Sequence, residues 1–554
     1  MGLRETNLDK LEQSEFDVLI VGGGINGAVS AASLSAKGVK VALIDRGDFA
    51  GFTSSNSSNL AWGGIKYLES HEYLLVNELC KSRNHLMESY PSTVQEIRFL
   101  TSIQQGFRFH PWFIYLGTLL YWVLGRFRTR PPLLKSATKL KSTESIINVE
   151  TVAGGFEYSD CYLFDNDARF VFNFIRSSID RGCVAVNYAE SVSSNFSQDE
   201  WRTEVVDQVS QRAITVKSKV VINACGPYVD EVNRKININT DHHHAFSKGI
   251  HLIVDRLTEE KKVLAFFADD GRLFFVIPMG PKTCIGTTDT PSDDPRSFVT
   301  EEDRQFVLDN VNRMLDLEQP LTADDIISER CGVRPLAVKG QSDQEWMQMS
   351  RKHALDVDAD KNHISVFGGK LTDCLNVGDE VCDLVQTLGV DIPLPETKWY
   401  GESSADVRQE FFHQAALMGL DELTPATSSE VLSQRFWRRY GSDAVNMLER
   451  IRENPRQSEL LIEHSEYLRC EIEHAARKEM IVKLEDFLRR RSKISLVVRQ
   501  QDLLAAPGLK EACQILFGDE ADVKFKEYVD SLNSDKESIL LNSKTNATNQ
   551  WADA

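Results

Sequence analysis

The stretch Phe16–Asp45, FDVLIVGGGINGAVSAASLSAKGVKVALID, decides the fold. Phe16–Val21 (FDVLIV) is a short apolar run of the kind that forms a buried strand, and a glycine-rich turn follows it at once. Asn26–Lys37 reads as a helix that Gly38 stops, and Val39–Ile44 reads as a second strand. Inside this β-α-β unit, Gly22-Gly23-Gly24-Ile25-Asn26-Gly27 gives the spacing GxGxxG. Gly22 permits the tight turn, Gly24 lets backbone approach a pyrophosphate, and Gly27 lets helix and strand pack closely. The helix start at Asn26 offers unpaired N–H groups and a partial positive charge to phosphates. Asp45, followed by Arg46, ends the second strand, where a carboxylate accepts from a ribose hydroxyl. Strand, motif, helix, strand and acid in this order define a dinucleotide-binding unit.

Motif and acid alone do not separate NAD from FAD. Three further stretches favour a flavin. Thr53–Gly64 (TSSNSSNLAWGG) is rich in small residues suited to lie along a cofactor, among them Thr53, Ser54, Ser55, Gly63 and Gly64. Ala224-Cys225-Gly226 closes a strand and gives a second backbone approach. Phe367–Thr372 (FGGKLT) sets Gly368, Gly369, Lys370, Leu371 and Thr372 between a strand and a helix whose N-terminus stabilises negative charge on a reduced ring.

Further strands are expected at Ser218–Ala224, Arg272–Pro278 and His363–Phe367, with alternation at Trp201–Val209 that suits an antiparallel sheet. After about Pro395 strand signals vanish, and amphipathic helical stretches run from Asp406 to about Val529. Pro111–Gly125 (PWFIYLGTLLYWVLG) is apolar and aromatic, flanked by Arg108, Arg126, Arg128 and Arg130. A bilayer span needs about 20 apolar residues, so this segment is either a buried core helix or one lying in a membrane interface.

The chain has 554 residues, 42% hydrophobic and 26% charged, enough for two or three units with a large core. A net charge of −19 argues against nucleic acid as a partner. The ten cysteines form no CxxC pair and read as buried free thiols of a reducing compartment. The polar, acid-containing N-terminus fits neither a secretory signal nor a transit peptide. His242-His243-His244 reads as a polar loop, with no metal site expected, and Arg489-Arg490-Arg491 with Lys493 as a solvated helix face.

Taken in order, FDVLIVGGGINGA, TSSNSSN, WGGIKYLE, GFEYSDC, GTTD, GVRPL and SVFGGKLT resemble the flavin-dependent glycerol-3-phosphate dehydrogenases of the D-amino-acid-oxidase-like flavoprotein superfamily. The resemblance covers residues 14–390, and CEIEHAARKEMIVKLEDFLRRRSK (Cys470–Lys493) resembles that family's C-terminal domain. It implies FAD, and oxidation of sn-glycerol 3-phosphate to dihydroxyacetone phosphate by hydride transfer from C2 to flavin N5. It implies a membrane quinone as electron acceptor and peripheral attachment to the cytoplasmic face of an inner membrane, and it admits a homodimer. By resemblance His251 in KGIHLIV is the base, and Arg334 and Lys370 bring positive charge to the substrate. Lys66, Tyr67 and Thr288 would bind it. Such chemistry needs cations for phosphate and developing alkoxide, and a base for the hydroxyl.

The chain departs from the family pattern KLIHGGxRYLE. Trp62 stands for a histidine, Lys66 for an arginine and Asn59 for a lysine. An indole moves no proton at neutral pH, and a lysine makes no bidentate phosphate clamp. Another polyol phosphate, a hydroxy acid or an amine therefore remains an alternative substrate, and a flavin-binding protein without activity a further one. The expected architecture is an α/β FAD-binding Rossmann-like fold with an antiparallel β-sheet substrate domain and a C-terminal all-α domain. The oxidoreductase unit spans 14–390, with flavin-binding parts at about 14–85, 150–240 and 340–390. The substrate part is 241–339, the hydrophobic excursion 105–135, the helical domain 391–530, and the disordered tail 531–554.

Overall fold

The computed structural model describes residues 2–150, 152–268, 272–340 and 352–533. Among them, an eight-stranded sheet carries the motif. Strand Glu15–Val21 lies at its centre, pairing in parallel with Val41–Ile44 on one side and Ala213–Asn223 on the other. Val184–Val186 extends the sheet beyond Val41–Ile44, and His363–Phe367 extends it beyond Ala213–Asn223, both in parallel. Such strands are covered on both faces, which is why VLIV and VALI are unbroken apolar runs. The strand order reverses around Glu15–Val21, opening a crevice at its carboxyl end.

Helix Ile25–Ala36 fills one face of the sheet almost wholly buried, against helices Asp167–Asp180 and Cys374–Thr387. Its composition of Ala, Ser and Gly allows this three-sided approach. Leu8 and Leu11 of the N-terminal helix Leu3–Gln13 cover the opposite face with Trp201. The alternating segment near Trp201 is strand Glu200–Asp207, antiparallel to Ala213–Asn223.

A second, ten-stranded sheet holds strands His242–Asp255, Lys262–Phe267, Leu273–Met279, Lys282–Gly286 and Ser328–Lys339. It corrects two expectations. Strand Val152–Leu163, assigned by sequence to the flavin part, belongs to this sheet, paired to Val94–Gln104 along its length. The histidines 242–244 open its longest strand instead of forming a polar loop. Their side chains are polar, yet backbone pairing with Ala337, Val338 and Lys339 fixes them as strand.

Helices from Ala405–Leu417 onward form the C-terminal region, with a core of Phe411, Leu432, Phe436, Trp437 and Tyr440. A further cluster joins Ile462, Ile472 and Leu484 to Ile97, Phe99 and Ile253 of the second sheet. The arginine triplet is not a solvated face: Arg490, Arg491 and Lys493 are buried against the rest of the chain. Residues 531–533 continue the last helix, and the remainder of the expected tail lies outside the described residues. Helix Pro111–Leu124 is a true helix, with His110 as N-cap and Pro111 in the first turn.

His363, at the start of its strand, is wholly buried beside Trp201. Burial, then the nearby Lys361 charge, push its imidazole down to about 3. A depressed histidine favours the native state above its unfolded pKa of about 6.5, and that contribution fades as pH falls towards the folded value. Relative to His363→Phe, the parent protein should therefore lose about 1.4 kcal/mol of stability per pH unit below about 6.5. Denaturant titrations of both proteins at pH 7, 6 and 5 check this, and a constant difference refutes it.

Candidate active site

Two connected hollows meet at the sheet crevice. The first runs along the carboxyl end of Glu15–Val21, with a volume of about 130 Å³. Of the predicted cofactor residues, Gly22, Gly24, Asn26, Asp45, Arg46, Thr53, Ser54, Ala224, Gly226, Gly368 and Gly369 line it. Gly22 has φ +107°, and a Cβ there would stand 2.5 Å from the Ala224 carbonyl oxygen. A Cβ on Gly27 would overlap the Gly22 carbonyl, so this glycine serves helix–strand packing. At Gly24, by contrast, a Cβ meets only Ser54 Oγ, at 3.2 Å. This glycine is thus needed for what enters the cleft.

Asp45 accepts from Gly23 N at 2.6 Å and Gly47 N at 2.8 Å. Burial raises its carboxyl to about 6, against those two hydrogen bonds. Arg46 stacks on Tyr228 with its guanidinium carbon 3.9 Å from the ring centroid, closing the outer end of the cleft. Asn26 Nδ2 donates to the Gly368 carbonyl at 3.0 Å, tying the helix start to the FGGKLT turn. His244 Nε2 accepts from Gly368 N at 3.1 Å, which gives that histidine a structural role.

The second hollow, about 270 Å³, lies between the two sheets. Its wall includes Ser58, Trp62, His251, Arg334, Lys370 and Thr372. Leu371 joins them there. His251 is 1% exposed and its Nε2 lies 2.9 Å from Ser58 Oγ. Its Nδ1 is buried with no hydrogen-bond partner among the described residues. Burial, then Arg330 and Arg334, push its pKa down to about 3, so it is a neutral imidazole at physiological pH.

Arg334 Nη2 donates to Thr287 Oγ1 at 2.9 Å, and Nη1 lies 3.4 Å from Asp289 Oδ1. Lys370 Nζ sits 4.3 Å from the centre of the Tyr67 ring. Tyr67 thus stands one layer behind the wall. Thr288 is displaced from its expected role: its buried Oγ1 accepts from Ile250 N at 3.1 Å, and its neighbour Thr287 faces the hollow. Lys66 is in the turn Ile65–Leu68 beside Tyr67, off the cavity wall.

Gly63 and Gly64 also lie behind the wall. Gly63 N donates to both Asp160 carboxylate oxygens at 3.2 Å, and a Cβ there would collide with the Tyr121 hydroxyl. Ser55 is buried and donates to the Phe52 carbonyl at 3.0 Å. Sequence reading missed Asn56, Ser57 and Ser58 on the wall, though all three fall inside the TSSNSSN stretch it singled out. It also missed Arg330, a buried guanidinium that donates to the Ser57 carbonyl at 2.7 Å and to Asn59 Oδ1 at 3.0 Å.

A motif-bearing parallel sheet and a second sheet closing over its crevice are the marks of a flavoprotein oxidoreductase. The chain belongs to the FAD dependent oxidoreductase family, whose pattern matches residues 17–363, so FAD is its cofactor. Residues 392–519 match the C-terminal domain of alpha-glycerophosphate oxidase. An aerobic glycerol-3-phosphate dehydrogenase of Staphylococcus aureus is 29% identical over 502 residues, covering 88% of each chain. Among solved structures, the glycerol-3-phosphate dehydrogenase from Bacillus halodurans complexed with FAD superposes with a TM-score of 0.72. That alignment is 23% identical and covers 96% of this chain and 97% of the other. The FAD-bound L-alpha-glycerophosphate oxidase from Mycoplasma pneumoniae gives 0.54 at 17% identity, over 70% of this chain and 98% of its own. These likenesses establish the fold.

The cleft's glycines give a direct check on cofactor seating. Gly24→Val should yield folded protein that is colourless, because the side chain enters the cleft and not the core. Gly27→Ala should instead impair folding. Circular dichroism with visible absorbance separates the two, and full flavin occupancy in Gly24→Val would contradict the assignment.

Proposed function

We propose that the enzyme oxidises sn-glycerol 3-phosphate to dihydroxyacetone phosphate and passes the electrons to a membrane quinone. The observation that carries this reading is the pairing of cations with a neutral base: Arg334 and Lys370 share a cavity wall with His251. Bound FAD supplies the two-electron acceptor for the C2 hydride. Arg334 and Lys370 bind the phosphate and stabilise charge on the substrate oxygen as it loses its proton. His251, uncharged, accepts that proton. A phosphate dianion beside Arg334 also opposes the depression of His251, so substrate binding raises the basicity that the step needs. Trp62 on the wall excludes water and limits the cavity to a short substrate.

The names of the relatives support the same substrate. For the quinone, the support is a surface. Helix Pro111–Leu124 turns Trp112, Phe113, Leu116, Leu120 and Val123 to solvent, with Phe127 just beyond. Only Pro111, Thr118 and Tyr121 are buried. This pattern favours the interfacial alternative over a core helix. No helix among the described residues is long and apolar enough to cross a membrane. Arg128 and Arg130 are paired with Glu88 and Glu96, at 2.9 and 3.2 Å. Attachment by this face is thus chiefly apolar, with only modest gain from anionic lipid.

Anaerobic mixing with sn-glycerol 3-phosphate should bleach the flavin absorbance. Arg334→Ala should slow that bleaching by about 2–4 kcal/mol in transition-state free energy while FAD stays bound. Bleaching at the parent rate in the variant removes Arg334 from the site. For the membrane, flotation with vesicles should carry the parent protein upward even at high salt, and a Trp112→Ser/Phe113→Ser pair should stay below. A parent protein that never floats makes the acceptor a soluble one.

A further inference from the structure

The arginine triplet of the C-terminal region grips both ends of a loop that lines the two hollows. Residues Asp486–Arg491 form one turn of π-helix whose arginines point back at the flavin domain. Arg490 Nε meets Asp48 Oδ2 at 2.6 Å, and Arg491 grips both oxygens of the same carboxylate at 2.8 Å each. Asp48 is buried, and the two guanidiniums overcome that burial to hold its carboxyl below the usual range. Arg489 turns the other way. Its Nη2 donates to Asn56 Oδ1 at 3.1 Å and to the Glu329 carbonyl at 3.3 Å. The Arg489 and Ser492 carbonyls are themselves pinned by Asn166 Nδ2, at 3.0 and 2.7 Å.

Asp48 and Asn56 bound one irregular loop. Between them, Gly51, Phe52, Thr53 and Ser54 line the dinucleotide cleft. Asn56 itself lies on the wall of the second cavity, two residues before the Ser58 that meets His251. The loop has little regular structure of its own beyond the turn Thr53–Ser55, and Ala50 in it takes a positive φ of 57°, as does Asn59 just after it. Such a segment holds its position only if surrounding groups over-determine it. Nearer groups hold it at single points, Asn187 donating to Asp48 at 2.9 Å and Thr53 donating to the Val333 carbonyl at 2.7 Å, while its two ends are gripped by arginines from more than four hundred residues further along the chain.

We propose that Arg489, Arg490 and Arg491 are positioning residues with divided tasks. Arg490 and Arg491 act through Asp48 to set the dinucleotide end of the loop. Arg489 acts through Asn56 to set the substrate end, where Ser58 meets His251. The C-terminal region is then a working part of the active site, although none of its residues lines either hollow. The assignment of substrate follows the reading above, but the division of tasks does not depend on it.

Full-length holoenzyme variants test the division. Arg491→Lys keeps the charge but loses the two-oxygen grip on Asp48, and should weaken FAD binding about tenfold. Arg489→Gln should bind FAD within about twofold of the parent, yet its anaerobic flavin reduction should fall about tenfold, since small displacements near reacting groups are costly. Asn56→Ala should match Arg489→Gln in rate, and the double variant should be no slower than either single one, because both act through one contact. Additive effects overturn the proposal, as does a parental rate in Arg489→Gln or FAD loss in it equal to that of Arg491→Lys. If Arg491→Lys yields no folded protein, the Arg489–Asn56 cycle decides alone. If the parent protein is not bleached by sn-glycerol 3-phosphate, the substrate reading fails, and FAD retention in the variants still judges the division.

Discussion

The dinucleotide unit turns on a backbone approach between two glycines. Gly27, in the first turn of helix Ile25–Ala36, faces the carbonyl of Gly22 at the end of the central strand with no room for a methyl group. That contact sets the helix start directly above the crevice, so its free N–H groups look along the carboxyl ends of the strands. It also lets the helix sink far enough for Cys374–Thr387 and Asp167–Asp180 to close over it. The FGGKLT turn, which feeds Cys374–Thr387, is then brought within hydrogen-bond reach of Asn26. One steric constraint therefore fixes the dinucleotide cleft and, through Lys370 on that turn, one cation of the substrate cavity.

What the sequence made legible follows from range. The β-α-β unit is local: its apolar runs, glycine spacing and terminal acid lie within thirty residues, and its strands and helix appear where they were read, to within one or two residues. The helical character of the C-terminal region is local too. Sheet membership is not. Val152–Leu163 is buried on both faces almost throughout, so its sequence does not tell one sheet from the other, and only pairing to Val94–Gln104 decides it. The arginine triplet misled for the same reason. A run of three arginines looks like a solvated face until Asp48, far upstream, is folded against it. At the site, residues named from motifs lie near the cavity, but in the irregular connection between Lys282–Gly286 and Thr290–Ser292 it is Thr287, one residue before Thr288, that reaches the wall.

Electrostatics in the cavity is a matter of balance more than of excess charge. The chain is strongly acidic, yet the second hollow is walled by guanidinium and ammonium groups. Arg334 does not stand alone there, since Asp289 lies beside it at 3.4 Å. Arg330 lacks a carboxylate at hydrogen-bond distance, the nearest being Asp167 at 4.0 Å, and spends its donors on backbone and on Asn59. Its charge is therefore poorly offset and is felt by His251. Burial does most of the work of keeping that imidazole neutral, and the two arginines add to it. An anion bound beside these arginines would oppose their effect on the imidazole, so in the proposed reaction proton removal is coupled to the binding of a charged substrate.

The same logic bears on Trp62. The indole stands where the family pattern that the chain resembles has histidine, and its neighbour Gly63 is locked in place. Gly63 N is held by Asp160, and Asp160 also accepts from the Tyr121 hydroxyl at 2.6 Å. Arg83 Nη1 completes the cluster, 3.3 Å from the same carboxylate. Tyr121 is the buried side of the helix whose other side is apolar and exposed. The wall beside the substrate and the surface proposed to meet the bilayer therefore rest on one carboxylate. A rigid backbone at Gly63 means that exchanging histidine for tryptophan changes what the wall can do without moving it. Proton transfer then has no titratable partner at this position, which is why the proposed reaction assigns it to His251, on another strand of the same ten-stranded sheet.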